Sequence, residues 1–564
     1  MGVRTWEPSD EPPPVPIGPS PWAALALVPL LLFGLVSNGR PIGSPQTLAA
    51  ERLAADLATG RLLREGPAPL LPALLAAPVF AAAGAAFALD DTGRALAGKL
   101  AASLFAALAA GLLFLAVGWR RPETEAAQVA ALFALGTGVW GASQALWPHT
   151  AALLFLCLAL LCVVRSELDP RWVGWTGLPL GLAAAADPWV LALCLVLLLG
   201  VAGRWPRRLP GLLLATAPGT ALFTLEAFRP GGPLTLLGDV AQRPGAYYLA
   251  LLVSPAKGWL IFTPLVVVAA AGLVLAFRRG ERWLSVLLAI AVVAHAAFVG
   301  GFSQWLAGES WGPLPMVGAL PLLLLFLPAG LDAFGRAGSA LVALSVLVQL
   351  IGAFAYDHRW ERLHGPASAP GVTWQLAHSP LAFQLSERVL RPALPAVHSG
   401  KAAIREHALV VLGPRGSRIS FAGDAPVVKG ADASCGDVHL QSGARVRDAR
   451  LLLGASSAAL FLRVLPGARL RPLELRILGR GRGTLRVSER TFWSEPRVRL
   501  YTIAGGFRFR HAYDYPKSGG PDVTISVVGE AAIESVGLVP AGAPDKPLDL
   551  GSHHRRAVDA DIGT

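Results

Sequence analysis

The chain has 564 residues, of which 54% are hydrophobic and only 15% charged. Soluble domains usually carry about a quarter charged residues, so an ordinary soluble protein is excluded and the chain must find apolar solvent in a bilayer. The net charge of +12 is unevenly placed, with 24 Lys and Arg against 16 Asp and Glu in 401–564. That surplus suits lipid headgroups or an anionic polymer, although a solvated, Arg-rich β surface is the simpler account, and no aromatic-basic motif points to nucleic acid.

Residues 1–21 form a Pro-rich, slightly acidic tail that reads as disordered or polyproline-like. The first apolar run, 22–36, lacks a basic flank and a small-residue cleavage site, so it reads as a retained span. A long polar excursion at 37–66 follows it as the first outer loop. Further spans are expected near 95–118, 124–143, 149–165, 172–186, 188–203, 208–228, 258–277, 282–301, 313–331 and 337–356, about eleven in all. The apolar segment 67–89 carries Pro67, Pro69, Pro72 and Pro78 and reads as a broken or interfacial helix at the outer face. A twelve-crossing topology is the alternative.

Arg120 and Arg121, Arg165 with Arg171, Arg204 with Arg207 and Arg208, Arg278 and Arg279 with Arg282, and Arg336 fall on alternate loops. Placing those loops in the cytoplasm puts 143–150, 229–258, 302–313 and everything after Tyr356 on the outer face. A linker or interfacial segment, 357–400, then leads to a polar domain at 401–540, and 541–564 is expected to be disordered. The polar domain alternates with period two, as in Leu460 to Val464, Leu473 to Ile477, Leu485 to Val487 and Val523 to Val527, with Gly and Pro between runs. Short strands at that spacing predict an all-β sandwich. Within it Phe507 and Phe509 alternate with Arg508 and Arg510, putting rings on one face and guanidinium groups on the other. Cys157, Cys162 and Cys194 lie in apolar runs and Cys435 stands alone, so no disulfide framework is legible.

Polar groups at the membrane boundary are costly and therefore mark candidate sites. On the outer face these are Glu51, Arg52, Asp56, His149, Lys257, Gln304, Glu309 and Ser310, joined by Asp187. Leu48, Leu53 and Leu57 predict a short amphipathic helix around Glu51 and Asp56, where a carboxylate can act as a general base toward a hydroxyl. A solvated helix face is the other account of both acids. His149 in LWPHT is a ligand-binding candidate, although a buried hydrogen-bonding or helix-starting histidine is the commoner account. Lys257 sits in a turn shaped by Ser254, Pro255 and Gly258, where its cation suits a lipid phosphate or snorkels to an ordinary headgroup. No metal-ligand spacing is present, so no metal and no cofactor is expected.

The motifs SNGRPIGSPQT (37–47), LGTGVWGASQALWPHT (135–150), VSPAKGWLIFTP (253–264) and WLAGESWGPLPMVGALPLLLL (305–325) together resemble the GT-C superfamily of polyprenyl-phosphate-sugar glycosyltransferases, in particular its bacterial members similar to protein O-mannosyltransferases. The resemblance implies a polytopic helical domain in the inner membrane, and the β-sandwich after residue 400, outside by the arginine loops, resembles carbohydrate-binding jelly rolls in its strand pattern and terminal strand. It also implies a lipid-linked sugar as donor and an acidic residue of the first outer loop as base. Where members read S-G-D-T this chain reads Ser44-Pro45-Gln46-Thr47, so Gln46 holds the carboxylate position and Glu51, five residues on, is the residue able to supply the base. The family's arginine after Gly-Pro is Leu314 here, and an Arg-Pro pair between the middle spans is Asp187-Pro188. Arg52, Lys257, His149, Glu309 and Trp311 are the substrate-binding candidates that follow. The departures define a second expectation, a catalytically degenerate relative that binds lipid-linked glycan or scaffolds an envelope complex.

Overall fold

A computed structural model describes residues 18–39, 45–61, 68–87, 89, 91–228, 248–302, 310–356, 360, 373–376 and 379–385, together with the β-strands given below. It divides into two compact units, Met1–His358 with Pro366–Gln384, and Arg359–Gly365 with Leu385–Thr564. The first is helical and the second is an antiparallel sheet. Most of the expected tails and of the expected linker lies outside the described residues.

Helix α1 (Pro21–Val36) begins with proline at its first position, after Ser20, whose hydroxyl accepts from the Ala23 N–H. Trp22, Leu25, Leu30 and Phe33 remain exposed on it, as befits a surface facing lipid rather than water. Then come α2 (Pro45–Ala58), α3 (Leu70–Ala86), α4 (Asp91–Gly118), α5 (Glu123–Leu135), α6 (Gly138–Ala142), α7 (Pro148–Ser166), α8 (Trp172–Ala186), α9 (Leu191–Arg204) and α10 (Leu209–Ala227). After 229–247, which is outside the described residues, follow α11 (Tyr248–Val253), α12 (Trp259–Phe262), α13 (Leu265–Arg278), α14 (Arg282–Gly300), α15 (Leu320–Leu324), α16 (Leu327–Ala355) and α17 (Pro380–Gln384).

Four helices among the described residues are long and apolar enough to cross a bilayer: Gly93–Gly118, Pro148–Ser166, Arg282–Gly300 and Leu327–Ala355. A fifth span results if Pro188–Arg204 and Pro206–Ala227, bent by 111°, are taken together. Several boundaries differ from those expected. The run 124–143 stops as a helix at Leu135, because Gly136 and Thr137 leave helical geometry and Thr137 caps α6 instead. The run 313–331 opens as a 3-10 helix, Leu314–Ala319, among Pro313, Pro315 and Pro321, and its end joins the next run as α16. A kink at Gly335, with φ of 50°, marks that joint. Segment 67–89 holds one continuous helix rather than a broken one, since Pro72 falls in its first turn and only Pro78 lies inside.

Glycines set the tightest helix contacts. A Cβ on Gly219 of α10 would lie 2.1 Å from the Gly181 carbonyl carbon of α8, and one on Gly177 would lie 2.2 Å from the Leu212 oxygen. Backbones that close require small residues on both sides.

The arginine-bearing loops gather at one end of the bundle. Arg120 pairs with Glu167 at 2.8 Å and with Glu281, Arg121 lies 3.9 Å from Asp332, and Arg165 lies over the rings of Trp119 and Trp172. The loops expected on alternate sides of the sequence therefore share one physical end.

In the second unit β9 (Leu473–Arg490), β10 (Arg497–Tyr513) and β11 (Asp522–Pro540) are long strands. β9 pairs with both others, while the far edge of β11 takes up β8 (Ala459–Arg463), β7 (Arg450–Leu453) and β3 (Ser417–Ala422) in turn. The sheet is completed by β1 (Gly400–Lys401), β2 (Leu409–Val411), β4 (Ala425–Gly430), β5 (Cys435–Gln441) and β6 (Arg445–Arg447). The short runs expected around 473–477 and 485–487 are one strand, as are those around 523–527 and 533–540. Gly483 and Gly529 face each other across β9 and β11 with φ of 138° and 121°, so the strands bend there without breaking. Leu475, Ile477, Leu485, Val487, Phe507, Phe509, Val523, Ile525 and Ile533 form the buried face. Arg480, Arg482, Arg486 and Arg510 are exposed on the other.

Candidate functional site

At the end of the bundle away from the arginines, one segment touches residues of several outer-face stretches. It runs from the cap of α6 to the start of α7, 137–149. Its Gly141 meets Trp311, with 3.6 Å between a Cβ there and the Trp311 Cβ. Its Gln144 accepts from Asn38 Nδ2 at 2.7 Å, the Leu146 backbone adjoins Glu51, and His149 Nδ1 lies 2.5 Å from Asp187 Oδ2.

Asn38, just past the C-terminus of α1, is a hub. Its amide also donates to the Ala353 carbonyl at 2.6 Å, and its oxygen accepts from Lys99 Nζ. Gln144 Nε2 reaches Leu35 O, Trp140 O and Ser143 Oγ at 3.0 to 3.1 Å. A lysine inside an apolar helix is tolerated only with such partners. Lys99 and Gln144 were not singled out from the sequence, yet Lys99 is a lone charge within the apolar run of α4, which is signal enough to find it.

Helix α2 is amphipathic as predicted, but its buried face includes an acid. Thr47, Leu48, Glu51, Leu53 and Ala54 are all buried, Arg52 is exposed and Asp56 half-buried. Thr47, Glu51 and Ala54 recur at helical spacing, which puts the carboxyl against α4. Space for it comes from Gly98, where a Cβ would lie 2.7 Å from Glu51 Oε1. Neither Glu51 oxygen has a hydrogen-bond partner of normal geometry. Burial therefore pushes its pKa from the ordinary 4.5 to about 8, and the Leu146 backbone, Arg94 and Arg52 offset only part of this. Gln46 lies in the first turn of α2, and its side chain is outside the described residues.

Lys257 occupies the predicted tight turn between α11 and α12. The Gly258 N–H donates to Ser254 O at 2.6 Å, and the Ser254 hydroxyl accepts from Ala256 N–H and donates to Thr373 O at 2.6 Å. A side chain at 258 would run into Ser254 N at 2.5 Å, which explains the glycine. Lys257 is fully buried, with Nζ 3.4 Å from Ser310 Oγ, whose own proton goes to Gly312 O at 3.0 Å. Trp311 is wedged edge-on to Phe262, 5.1 Å between centroids, and tilted against Tyr356. A small cavity of about 10 Å³ lies there, lined by Gly138, Trp259, Phe262, Thr263, Trp311 and Leu314 among others. Gln304 and Glu309 lie outside the described residues.

His149 and Asp187 were legible as separate candidates, and the fold joins them across 38 positions. Each stands at a Pro-containing helix start on the same end, α7 and the turn Pro188–Val190, and that shared placement is the available sequence signal. Asp187 is 1% exposed, and its second oxygen accepts from the Trp189 N–H at 3.1 Å. Trp147 stacks on the imidazole. His295, not singled out from the sequence, is buried on α14 with Nε2 donating to Pro315 O at 2.8 Å.

Among the described residues no group of three or more His, Cys, Asp or Glu is placed to hold a metal ion. No protein-family model matches the chain, and no curated protein matches it.

Proposed function

We propose that this chain is a GT-C-type membrane glycosyltransferase that moves a sugar from a polyprenyl-phosphate donor to an envelope acceptor at the outer face of the cell membrane. What carries the reading is the single segment 137–149, which touches Asn38 and Trp311 and so joins three of the four resembling motifs, with Glu51 and Asp187 beside them, while the fourth meets Trp311 through Phe262. The segregation of arginine loops to the opposite end supports a cytoplasmic assignment for that end. The finer architecture that goes with this reading is about eleven spans, some short, and a jelly-roll-like outer domain.

Inverting displacement needs an acid-base group at the acceptor hydroxyl and a cation at the departing lipid phosphate. Glu51 is assigned to the acceptor side, with Gln46, Arg52 and Asp56 on the same helix, and Lys257 to the phosphate. Trp311 is assigned to the sugar, whose faces pack on aromatic rings. Purified protein incubated with a panel of polyprenyl-phosphate hexoses and pentoses should release free polyprenyl phosphate. No release with any donor defeats the reading.

A second reading has its own support. Leu314 stands where members carry an arginine, and it is buried against the small cavity, which suits a relative that binds lipid-linked glycan without turning it over. In either case the arginine face of the sheet is assigned to an anionic glycan or headgroup layer.

A further inference from the structure

We infer that His149, held by Asp187, is the group that takes the proton from the acceptor hydroxyl. This rests on the transfer reading above and moves the base role within it from Glu51 to His149, leaving Glu51 beside the acceptor.

The geometry separates a working histidine from a structural one. A carboxylate only accepts hydrogen bonds, so the short contact to Asp187 places a hydrogen on His149 Nδ1 and leaves the lone pair on Nε2. Asp187 is itself fixed, its other oxygen held by the Trp189 N–H, and stacking by Trp147 sets the plane of the ring. His295 supplies the contrast, because its Nε2 is tied to the Pro315 carbonyl. Nε2 of His149, on a side chain still 7% exposed, is not among the buried polar atoms left without a partner.

Charge decides what the pair binds. Asp187 with a neutral imidazole carries one negative charge, and with an imidazolium it carries none. Neither state attracts a phosphate anion, and an imidazolium formed in the step is stabilised by the carboxylate. The titratable groups facing the pair are His295 from α14 and Cys194 from α9, and neither brings a fixed positive charge. Glu51, assigned to the acceptor side, adjoins Leu146, three residues before His149.

In the step, the hydroxyl proton passes to Nε2 as the oxygen's electron pair forms the bond to the anomeric carbon. The bond from that carbon to the phosphate oxygen breaks, and its electron pair leaves with the lipid phosphate. His149 then returns its proton to water. Asp187 is a positioning residue, acting through His149.

The test uses the full chain in lipid nanodiscs with the same donor panel and release of polyprenyl phosphate as the readout. His149→Gln and Asp187→Asn should each lower kcat by about 100-fold or more while KM for donor changes little. His149→Ala should regain part of its rate with added imidazole, which a packing role does not explain. Diethyl pyrocarbonate should modify His149 in the unaltered protein, as mapped by mass spectrometry. If the unaltered protein is active and His149→Gln keeps half its rate, or if His149 resists the reagent while other histidines react, the assignment is overturned and the transfer reading stands. If no donor is consumed by the unaltered protein, the transfer reading falls and takes this assignment with it.

Discussion

Glu51 and Gly98 occupy adjoining halves of one small space, since a methyl group on Gly98 would lie 2.7 Å from the Glu51 carboxyl oxygen. An acid that has no normal hydrogen bond is therefore kept in place by the absence of a side chain on the neighbouring helix. Gly98→Ala should destabilise the protein by about 1 to 3 kcal/mol through overpacking. Pairing it with Glu51→Ala should recover most of that loss, and thermal melts of the two single variants and the double variant give the coupling directly.

The same carboxyl makes stability depend on pH. Its pKa lies above the unfolded value, so the folded chain binds more proton between about 4.5 and 8. Stability from this group is complete below that window and falls as pH rises through it, by about 1.4 kcal/mol per pH unit at most. Glu51→Gln should flatten this slope, melting close to the parent at pH 5 and several degrees higher at pH 9. A parent whose melting temperature is the same at both pH values would contradict the burial described for this side chain.

Lys257 can be tested by binding alone. Lys257→Met keeps the packing of a buried stem and removes the ammonium that meets Ser310. Loss of one charge-assisted bond, about 1.5 to 3 kcal/mol, should weaken retention of polyprenyl phosphate by roughly 10- to 150-fold in a competition assay. Equal affinity in the variant would release Lys257 from the phosphate role.

The sheet's outer face predicts a salt-dependent interaction. Arg510 lies directly opposite Arg476, and Arg508 opposite Leu478, on the face away from Phe507 and Phe509. Retention of the full chain on an immobilised acidic polysaccharide should fall between low and high salt and should fall again in the Arg508→Ala, Arg510→Ala double variant. Retention indifferent to both changes would leave the face without an anionic partner.

Much of the architecture could be read from residue patterns because it follows from solvation. Apolar runs became helices, Arg120, Arg165 and Arg204 marked their common end, and the alternation at Phe507 to Arg510 became a strand with a buried and an exposed face. What escaped the sequence depends on contacts between distant residues. Nothing local says that Gly98 makes room for Glu51, that Asn38 ties Lys99 to Gln144, or that His149 meets Asp187. The same holds for Gly483 and Gly529, which read as strand breakers one at a time but, facing each other, bend two strands that continue through them.

The backbone contact between α8 and α10 has a mechanical reading. With no side chain between Gly181 and Gly219, the two helices have no compressible layer in which one could tilt while the other stayed still. They run parallel, and Asp187 lies six residues beyond Gly181. Any displacement imposed on the outer end of α10 is therefore delivered to the carboxylate that holds His149, so a force applied to the chain after Ala227 works as a lever on the imidazole.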